Sequence, residues 1–144
     1  MENHETPEAI KARAEQTDPI VMYLIVREDL EMSIGKTAAQ CSHAAQMLTL
    51  QYMNYKDMAS SSGLKGSEWY LSFKEWLNTS FRKVVLKADE KEWLKVKEAM
   101  GESMVLVVDA GLTELQPNTE TVIGLWPMKR SERPKIIKKL QVLT

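Results

Sequence analysis

The sequence of 144 residues lacks the features that would assign it directly to several large classes of protein. It has one cysteine, which excludes an intramolecular disulfide and a zinc site built on a cysteine cluster. No apolar run approaches the roughly 20 residues of a membrane-spanning helix, and no apolar stretch follows a basic start as in a secretory signal. We therefore expect a cytoplasmic protein that does not act in a membrane.

The net charge of −1 does not indicate the basic surface that is typical of a nucleic-acid-binding protein. The charges are nevertheless uneven along the chain. Residues 1–18 hold five acidic and two basic side chains, whereas residues 129–139 hold six basic side chains and one acidic one. A basic segment of this kind suits contact with a phosphate backbone, and it equally suits a solvated helix face.

Hydrophobic patterning predicts strands that alternate with helices, which is typical of an α/β protein. The strands are expected at 20–27, 83–88, 104–108 and 120–126, and the helices at about 35–55, 67–79, 90–100 and 131–139. The connection between the third and fourth strands is short and holds no helix, so this pair should be antiparallel and the sheet mixed. We predict a three-layer sandwich with helices on both faces of a four-stranded sheet, or a five-stranded one if 141–143 adds an edge strand.

The length suits one domain, which we place at residues 19–144. Residues 1–18 are polar and are expected to form an arm or a short helix outside it. Serine and glycine dominate residues 57–67, which predicts a loop.

Residues 35–45 (GKTAAQCSHAA) open the first long helix directly after a predicted buried strand. Ser33 is a suitable N-cap. Two sets of side chains recur at spacings of three and four. The set expected to pack on the sheet comprises Ala38, Cys41, Ala45, Leu48 and Tyr52. The second set comprises Lys36, Gln40, His43 and Met47, and it lies about 200° round the helix, away from the main packing face.

Lys36 occupies the first turn of this helix, where the helix dipole disfavours a cation. One interpretation is a solvated surface lysine. The other is an anion site made of helix N–H groups and the ammonium, with a phosphate or a developing oxyanion as guest. A nucleotide-binding P-loop is excluded, because that motif needs a glycine five positions before Gly35 and Leu30 stands there.

Asp109 directly follows a predicted buried strand, at the strand end where ligands bind in open α/β sheets. Thr113 and Thr121 follow nearby in the chain. If Asp109 faces Lys36, which also follows a strand, the two form a charge pair with hydroxyl groups around it. Such a set suits activation of a water and stabilisation of an oxyanion.

Cys41 and His43 do not form a nucleophile–base pair in this prediction. They lie two residues apart on one helix, so their side chains diverge. Cys41 also belongs to the set that packs on the sheet, and we interpret it as structural.

Residues 35–45 resemble the first-helix signature of the class II (archaeal and eukaryotic-type) peptidyl-tRNA hydrolases. The resemblance continues in order through residues 84–87, 109–113, 117, 121–122 and 127, and it covers about residues 20–143. It implies a mixed, mainly four-stranded sheet between helices, and a homodimer.

The activity implied by the resemblance is hydrolysis of the ester that joins a peptide to the terminal ribose of tRNA, with no metal and no cofactor. The catalytic residues that it implies are Lys36, Asp109, Thr113 and Thr121. The residues that it implies for binding substrate are Gln40, His43, Thr37 and Gly111. In these roles Asp109 orients or deprotonates a water, and Lys36 stabilises the oxyanion or keeps Asp109 ionised. The threonines donate hydrogen bonds to the ester or the ribose.

The sequence departs from the family pattern beside this site. Leu112 and Glu114 stand where the family usually has arginine and glutamine, so a cation is lost and an anion is gained. Asn118 stands where glycine is usual, and Trp126 replaces a small residue. Two alternatives to a peptidyl-tRNA hydrolase therefore stay open: a hydrolase of another acyl ester on the same fold, and a non-catalytic module that binds tRNA or another partner.

Overall fold

The computed structural model describes residues 5–9, 17–62, 68–112 and 114–144. Its strands are β1 (Ile20–Arg27), β2 (Lys83–Ala88), β3 (Met104–Asp109), β4 (Thr119–Leu125), β5 (Met128–Lys129) and β6 (Gln141–Val142). The helices that pack on them are α1 (Ile34–Ser62), α2 (Glu68–Asn78), α3 (Glu90–Met100) and α4 (Lys135–Lys139). Strands and helices alternate as predicted, so the α/β class is confirmed. Most of the predicted arm, at residues 1–4 and 10–16, lies outside the described residues, and its boundary at residue 19 stays a prediction.

The six strands of the described chain form one sheet, in the order β3-β4-β1-β2-β6 with β5 paired to β1. β1 and β2 are parallel, and the other neighbouring strands are antiparallel. The sheet is therefore mixed, and the short connection between β3 and β4 makes an antiparallel pair as predicted. The prediction of four or five strands omits β5, because a ladder of two residues is too short to leave an alternating pattern.

β1 lies at the centre of the fold, because its alternate side chains enter two separate apolar cores. The even-numbered side chains from Met22 to Val26 join a core that α1 and α2 complete. The odd-numbered side chains from Val21 to Ile25 join a core that α3 and α4 complete. Helices thus cover both faces of the sheet, which confirms the three-layer sandwich.

α1 is longer than the sequence pattern predicts. It continues to Ser62 rather than ending near residue 55, so the predicted loop at 57–67 is wrong for residues 57–62, and residues 63–67 lie outside the described residues. Serine costs only about half a kcal/mol per helix position relative to alanine. Tyr55 anchors the later turns, with ring centroids 4.5 Å from Trp69 and 6.5 Å from Trp126.

The face that α1 turns to the sheet also differs from the prediction. Gln40, Ala44 and Leu48 form the buried row, whereas Ala38 is exposed. The physical reason is Gly124 in β4, because a Cβ at Gly124 would lie 3.1 Å from Ala44 Cβ and 3.0 Å from Leu48 Cδ1. The missing side chain lets α1 approach the sheet along this row, and the rotation turns Gln40 inward.

The predicted helix at 131–139 is divided in two. A 3-10 turn spans Arg130–Glu132, and α4 begins only at Lys135. Pro134 separates the two parts, since a proline disfavours the helical conformation of the residue before it, and Arg133 is extended with ψ 132°. Among the described residues, no helix has both the length and the apolar composition needed to span a membrane.

Candidate active site

The candidate site lies where the carboxyl ends of β1 and β3 meet. Both strands are antiparallel to β4, so they run in the same direction and end at the same edge of the sheet. β1 leads through a 3-10 turn at Glu28–Leu30 to the first turn of α1, which carries Lys36, and Asp109 is the last residue of β3. Lys36 Nζ donates to Asp109 Oδ1 at 2.5 Å. The structure therefore brings together two charged residues that lie 73 positions apart in the chain.

Asp109 is ionised in this environment. Its Oδ2 accepts a second hydrogen bond, from the Gly111 N–H at 2.8 Å. The hydrogen bond from Lys36 is the main cause that lowers the pKa of Asp109 below its usual value, and Gly111 and the charges of Lys36 and His43 act in the same direction. Burial opposes them, since the residue is only 6 % exposed. An ionised carboxylate is purely a hydrogen-bond acceptor, so a water placed against Asp109 would donate to it.

Gln40 and Thr121 form a buried hydrogen-bond chain beneath the ion pair. Thr121 Oγ1 donates to Gln40 Oε1 at 2.5 Å, and Gln40 Nε2 donates to Asp109 Oδ1 at 3.5 Å. Gln40 is 3 % exposed and Thr121 is fully buried. The prediction that Gln40 lies away from the packing face of the helix is therefore wrong, and Thr121 reaches Asp109 through Gln40.

The segment after β3 is folded tightly around the Asp109 carboxylate. Gly111 has φ +77°, and a Cβ there would lie 2.4 Å from the backbone nitrogen of Pro117, so only glycine fits. Asn118 has φ +63° and donates its N–H to the Asp109 carbonyl at 2.8 Å. Asparagine adopts this left-handed conformation more readily than most residues, which accounts for its presence where the family usually has glycine. Thr113 lies outside the described residues, so its predicted role stays a prediction.

The first turn of α1 is held by Ser33 and Glu114. Ser33 caps the helix as predicted, and its Oγ accepts from the Lys36 N–H at 3.2 Å. The Glu114 carboxylate accepts from the Ser33 N–H at 2.9 Å and from the Ser33 hydroxyl at 2.7 Å. Thr37 is also engaged locally, since its hydroxyl donates to the Ser33 carbonyl at 2.8 Å. The anion at the start of α1 is therefore the Glu114 carboxylate, which belongs to the protein itself. The sequence analysis noted the acidic residue at position 114 but did not predict its contact with Ser33.

His43 lies one turn beyond Gln40 on α1, and its side chain is exposed. It lines an open groove of about 530 Å³ between α1 and β3, together with Gln46, Met47, Leu50, Leu106, Val107 and Val108. His43 therefore borders the site without joining the hydrogen-bond chain.

Cys41 is half-buried and packs against the core shared by α1 and α2. Burial raises the pKa of its thiol. A thiol with a raised pKa is a poor nucleophile, because the thiolate is the reactive form. The structural interpretation of Cys41 agrees with this packing.

The described part of the chain holds no cluster of three or more histidine, cysteine, aspartate or glutamate side chains that could bind a metal ion. What the site does offer is an ionised carboxylate beside a lysine ammonium, supported by an amide and a hydroxyl. This arrangement can orient a water, accept its proton and stabilise a negatively charged intermediate.

A family model and curated relatives match most of this chain. A family model described as Peptidyl-tRNA hydrolase PTH2 matches residues 20–143. A protein from Methanococcus maripaludis named peptidyl-tRNA hydrolase is 35% identical over 124 residues, which are 83% of this chain and 96% of the relative. A protein of the same name from Saccharolobus solfataricus is 32% identical over 128 residues, which are 86% of this chain and 99% of the relative.

Proposed function

Because the chain belongs to the peptidyl-tRNA hydrolase PTH2 family, we propose that its site at Lys36 and Asp109 hydrolyses the ester bond of peptidyl-tRNA. The products are a free peptide and a free tRNA. The observation that carries the assignment of the site is the 2.5 Å contact between Lys36 Nζ and Asp109 Oδ1, at the sheet edge where α/β proteins bind ligands.

In the proposed reaction Asp109 acts on the attacking water. The water donates to the carboxylate, adds its oxygen to the ester carbonyl carbon and passes its proton to Asp109. The bond between that carbon and the ribose oxygen then breaks, and the proton passes from Asp109 to the ribose oxygen. Because its pKa is lowered, Asp109 starts as an ionised acceptor and releases the proton readily. The same lowering makes it a weak base, so its main contribution is to orient the water for attack.

Lys36 stabilises the negative charge of Asp109 before the water attacks and the negative charge of the oxyanion afterwards. Before attack it pairs with ionised Asp109. Once Asp109 takes up the proton its charge disappears, and an equal charge develops on the carbonyl oxygen. The ammonium then attracts that oxyanion, and no other cation has to move into the site.

Gln40 and Thr121 are proposed to position the carboxylate rather than to contact the ester. Two observations support this role. Both side chains are buried, and they form a chain of hydrogen bonds in which Thr121 Oγ1 donates to Gln40 Oε1 and Gln40 Nε2 donates to Asp109 Oδ1. Their role is to fix the direction in which Asp109 faces. His43 is placed on the exposed side of α1, where it is proposed to meet the substrate.

The tRNA backbone is proposed to approach along the sheet edge that carries the site. Arg27 is the last residue of β1, and Lys87 is the last but one of the neighbouring β2, so both lie at this edge. Their present partners are Asp29 at 2.8 Å and Glu28 at 3.5 Å. The basic segment that starts at residue 129 begins at the opposite end, since Lys129 pairs with Ile20 at the start of β1. Phosphate contacts make binding steeply salt-dependent, so the salt slope of tRNA binding in Lys87→Ala should be shallower by about one.

A hydrolase of another acyl ester is the second candidate. It is favoured by Leu112, which is 88% exposed, and by the acidic Glu114 close to Lys36. These two side chains make the site entrance less cationic and more apolar than the family pattern. A tRNA affinity that does not depend on salt would favour this candidate.

We also propose that the protein is a cytoplasmic homodimer, as the resemblance implies. The support is the exposed apolar lining of the groove between α1 and β3, where Leu50 is 54%, Val108 49% and Met47 36% exposed. Light scattering after size exclusion should give twice the mass of one chain, and the mass of a single chain would contradict the dimer.

The decisive assay is release of the acyl group from an N-blocked aminoacyl-tRNA. Turnover should fall by at least about 100-fold in Asp109→Ala and in Lys36→Ala, as for loss of an acid–base or oxyanion group. Lys97→Ala is the control, because Lys97 on α3 forms a more exposed ion pair with Glu120 of β4 at 2.9 Å and lies outside the site. Absence of wild-type turnover in a folded protein would contradict the function. Turnover that survives in both site variants would contradict the site.

A further inference from the structure

We infer that Glu114 is a positioning residue that holds Lys36 against Asp109 by fastening the segment after β3 to the start of α1. The inference rests on the proposed function of the Lys36–Asp109 site, and it concerns a residue that contacts neither of the two charged groups in the hydrogen-bond network. Its contribution is to the geometry of the site.

The contacts form a continuous path. Both oxygens of Glu114 are used, one by the Ser33 N–H at 2.9 Å and the other by the Ser33 hydroxyl at 2.7 Å. The Ser33 Oγ in turn accepts from the Lys36 N–H at 3.2 Å, and Lys36 Nζ donates to Asp109 Oδ1 at 2.5 Å. A two-pronged contact fixes direction as well as distance, so Glu114 determines where the first turn of α1 stands.

The same segment is fixed at its other side to Asp109. The Gly111 N–H donates to Asp109 Oδ2 at 2.8 Å, and the Asn118 N–H donates to the Asp109 carbonyl at 2.8 Å. Glu114 lies between these two anchors in the chain. It therefore connects a segment that is hydrogen-bonded to Asp109 through Gly111 and Asn118 to the residue that caps the helix of Lys36.

The charge of Glu114 is a separate effect that an experiment must distinguish from the tether. Hydrogen bonds from the Ser33 N–H and hydroxyl are the main causes that lower the pKa of Glu114; the charge of Lys36 adds to them and that of Asp109 opposes. Glu114 is thus ionised and electrostatically coupled to both partners of the pair. Removing only its charge should lower the pKa of Asp109, since one nearby anion is lost. Removing the tether should raise it, since Lys36 is then held less firmly.

The test compares Glu114→Ala, which removes tether and charge, with Glu114→Gln, which removes the charge and keeps the length. The glutamine oxygen can still accept from the Ser33 N–H, and its NH2 can donate to Ser33 Oγ, which reverses the second hydrogen bond. Glu114→Ala should lower kcat about tenfold with KM within about twofold, whereas Glu114→Gln should keep kcat within about twofold of wild type. Ser33→Ala combined with Glu114→Ala should cost less than the sum of the two single changes, because both act on one path. Glu92→Ala is the control, since Glu92 caps α3 away from the site by accepting from the Asp89 N–H at 3.0 Å.

A second readout needs no turnover. Titration of the Asp109 carboxyl carbon by NMR should show a higher pKa in Glu114→Ala than in Glu114→Gln, because both variants lack the charge and only the first lacks the tether. Glu92→Ala should leave the pKa unchanged. A pKa of Asp109 in Glu114→Ala that is equal to or below that in Glu114→Gln, or a kcat of Glu114→Ala equal to that of wild type, would overturn the inference. Failure of the wild-type protein to hydrolyse peptidyl-tRNA would contradict the proposed function instead, and the titration would still decide the role of Glu114.

Discussion

Replacement of Thr121 by valine distinguishes two roles for its hydroxyl group. The hydroxyl either donates a hydrogen bond to the substrate or positions Gln40. The resemblance implies a hydrogen bond from Thr121 to the ester or the ribose. In the structure the residue is fully buried and donates to Gln40 Oε1 at 2.5 Å. Valine keeps the β-branched shape and removes the hydroxyl, which also donates to the Val107 carbonyl at 3.4 Å.

The expected loss of stability follows from Gln40. Its carbonyl oxygen would lose this donor at a residue that is 3 % exposed, and a buried unsatisfied acceptor costs about 1–3 kcal/mol. For a chain of 144 residues the entropy of unfolding is about 0.3 kcal/mol per degree, so the melting temperature should fall by about 3–10 °C.

The expected loss of activity is smaller than for a group that contacts the reacting atoms. Gln40 Nε2 is 3.5 Å from Asp109 Oδ1, which is the longest of the three side-chain hydrogen bonds described for that carboxylate, and the bonds from Lys36 and Gly111 remain. Loss of one weak positioning bond should lower kcat about tenfold, equivalent to about 1.4 kcal/mol, and leave KM unchanged.

The assay is release of the acyl group from N-blocked aminoacyl-tRNA, with thermal unfolding measured on the same samples. Thr121→Ser should restore both values, because it returns the hydroxyl. Thr119→Val is the matched control on the same strand, since Thr119 Oγ1 donates at the exposed turn to the Gln116 carbonyl at 2.6 Å. A fall in kcat of about 100-fold to 1000-fold at unchanged stability, as for loss of an oxyanion donor, would refute the positioning role of Thr121.

Further predictions concern the carboxylate, the turn that holds it and the start of α1. The lowered pKa of Asp109 places the acid limb of kcat/KM below the usual aspartate value of about 3.9, and a limb centred above about pH 5 would contradict this. The ion pair between Asp109 and Lys36 also stabilises the fold. This stabilisation is fully present above the pKa of Asp109 in the unfolded chain, and it is lost as the pH falls through the pKa of Asp109 in the folded chain. Acid unfolding of Lys36→Ala compared with that of wild type measures this contribution. Gly111→Ala should destabilise the protein by more than about 1 kcal/mol and lower turnover, because its Cβ would lie 2.4 Å from Pro117 N. Gly35→Ala, with no atom within 4 Å of its Cβ, should instead stabilise the fold by up to about 1 kcal/mol in thermal unfolding. Equal effects of the two glycine substitutions would contradict this difference in their surroundings.

The elements of this fold were predictable where local pattern decides them. The capping box of α3 is an example: Glu92 N–H donates to Asp89 Oδ1 at 2.7 Å, and Asp89 N–H donates to Glu92 Oε1 at 3.0 Å, as the spacing of three predicts. The strands at 20–27 and 83–88 also agree with the structure. These features depend on residues a few positions apart, so the sequence alone contains the needed information.

Part of the site was predictable for the same reason. Lys36 and Asp109 each follow a strand, and parallel strands end at a common edge, so their meeting needed only the direction of two strands. The segment at 57–62 was not predictable in this way, because serine is neutral enough for a helix to continue when aromatic packing supports it.

The α/β class, the order of strands and helices, and the position of Lys36 and Asp109 after strands all follow from residues that are close together in the chain. The rotation of α1 on the sheet depends on tertiary contacts. That rotation depends on the contact of Ala44 with Gly124, and it makes Gln40 a buried link between Thr121 and Asp109. The tertiary structure also decided that Glu114 meets Ser33, 81 positions away. A contact over that separation depends on the packing of the whole sheet, and no local pattern of residues records it.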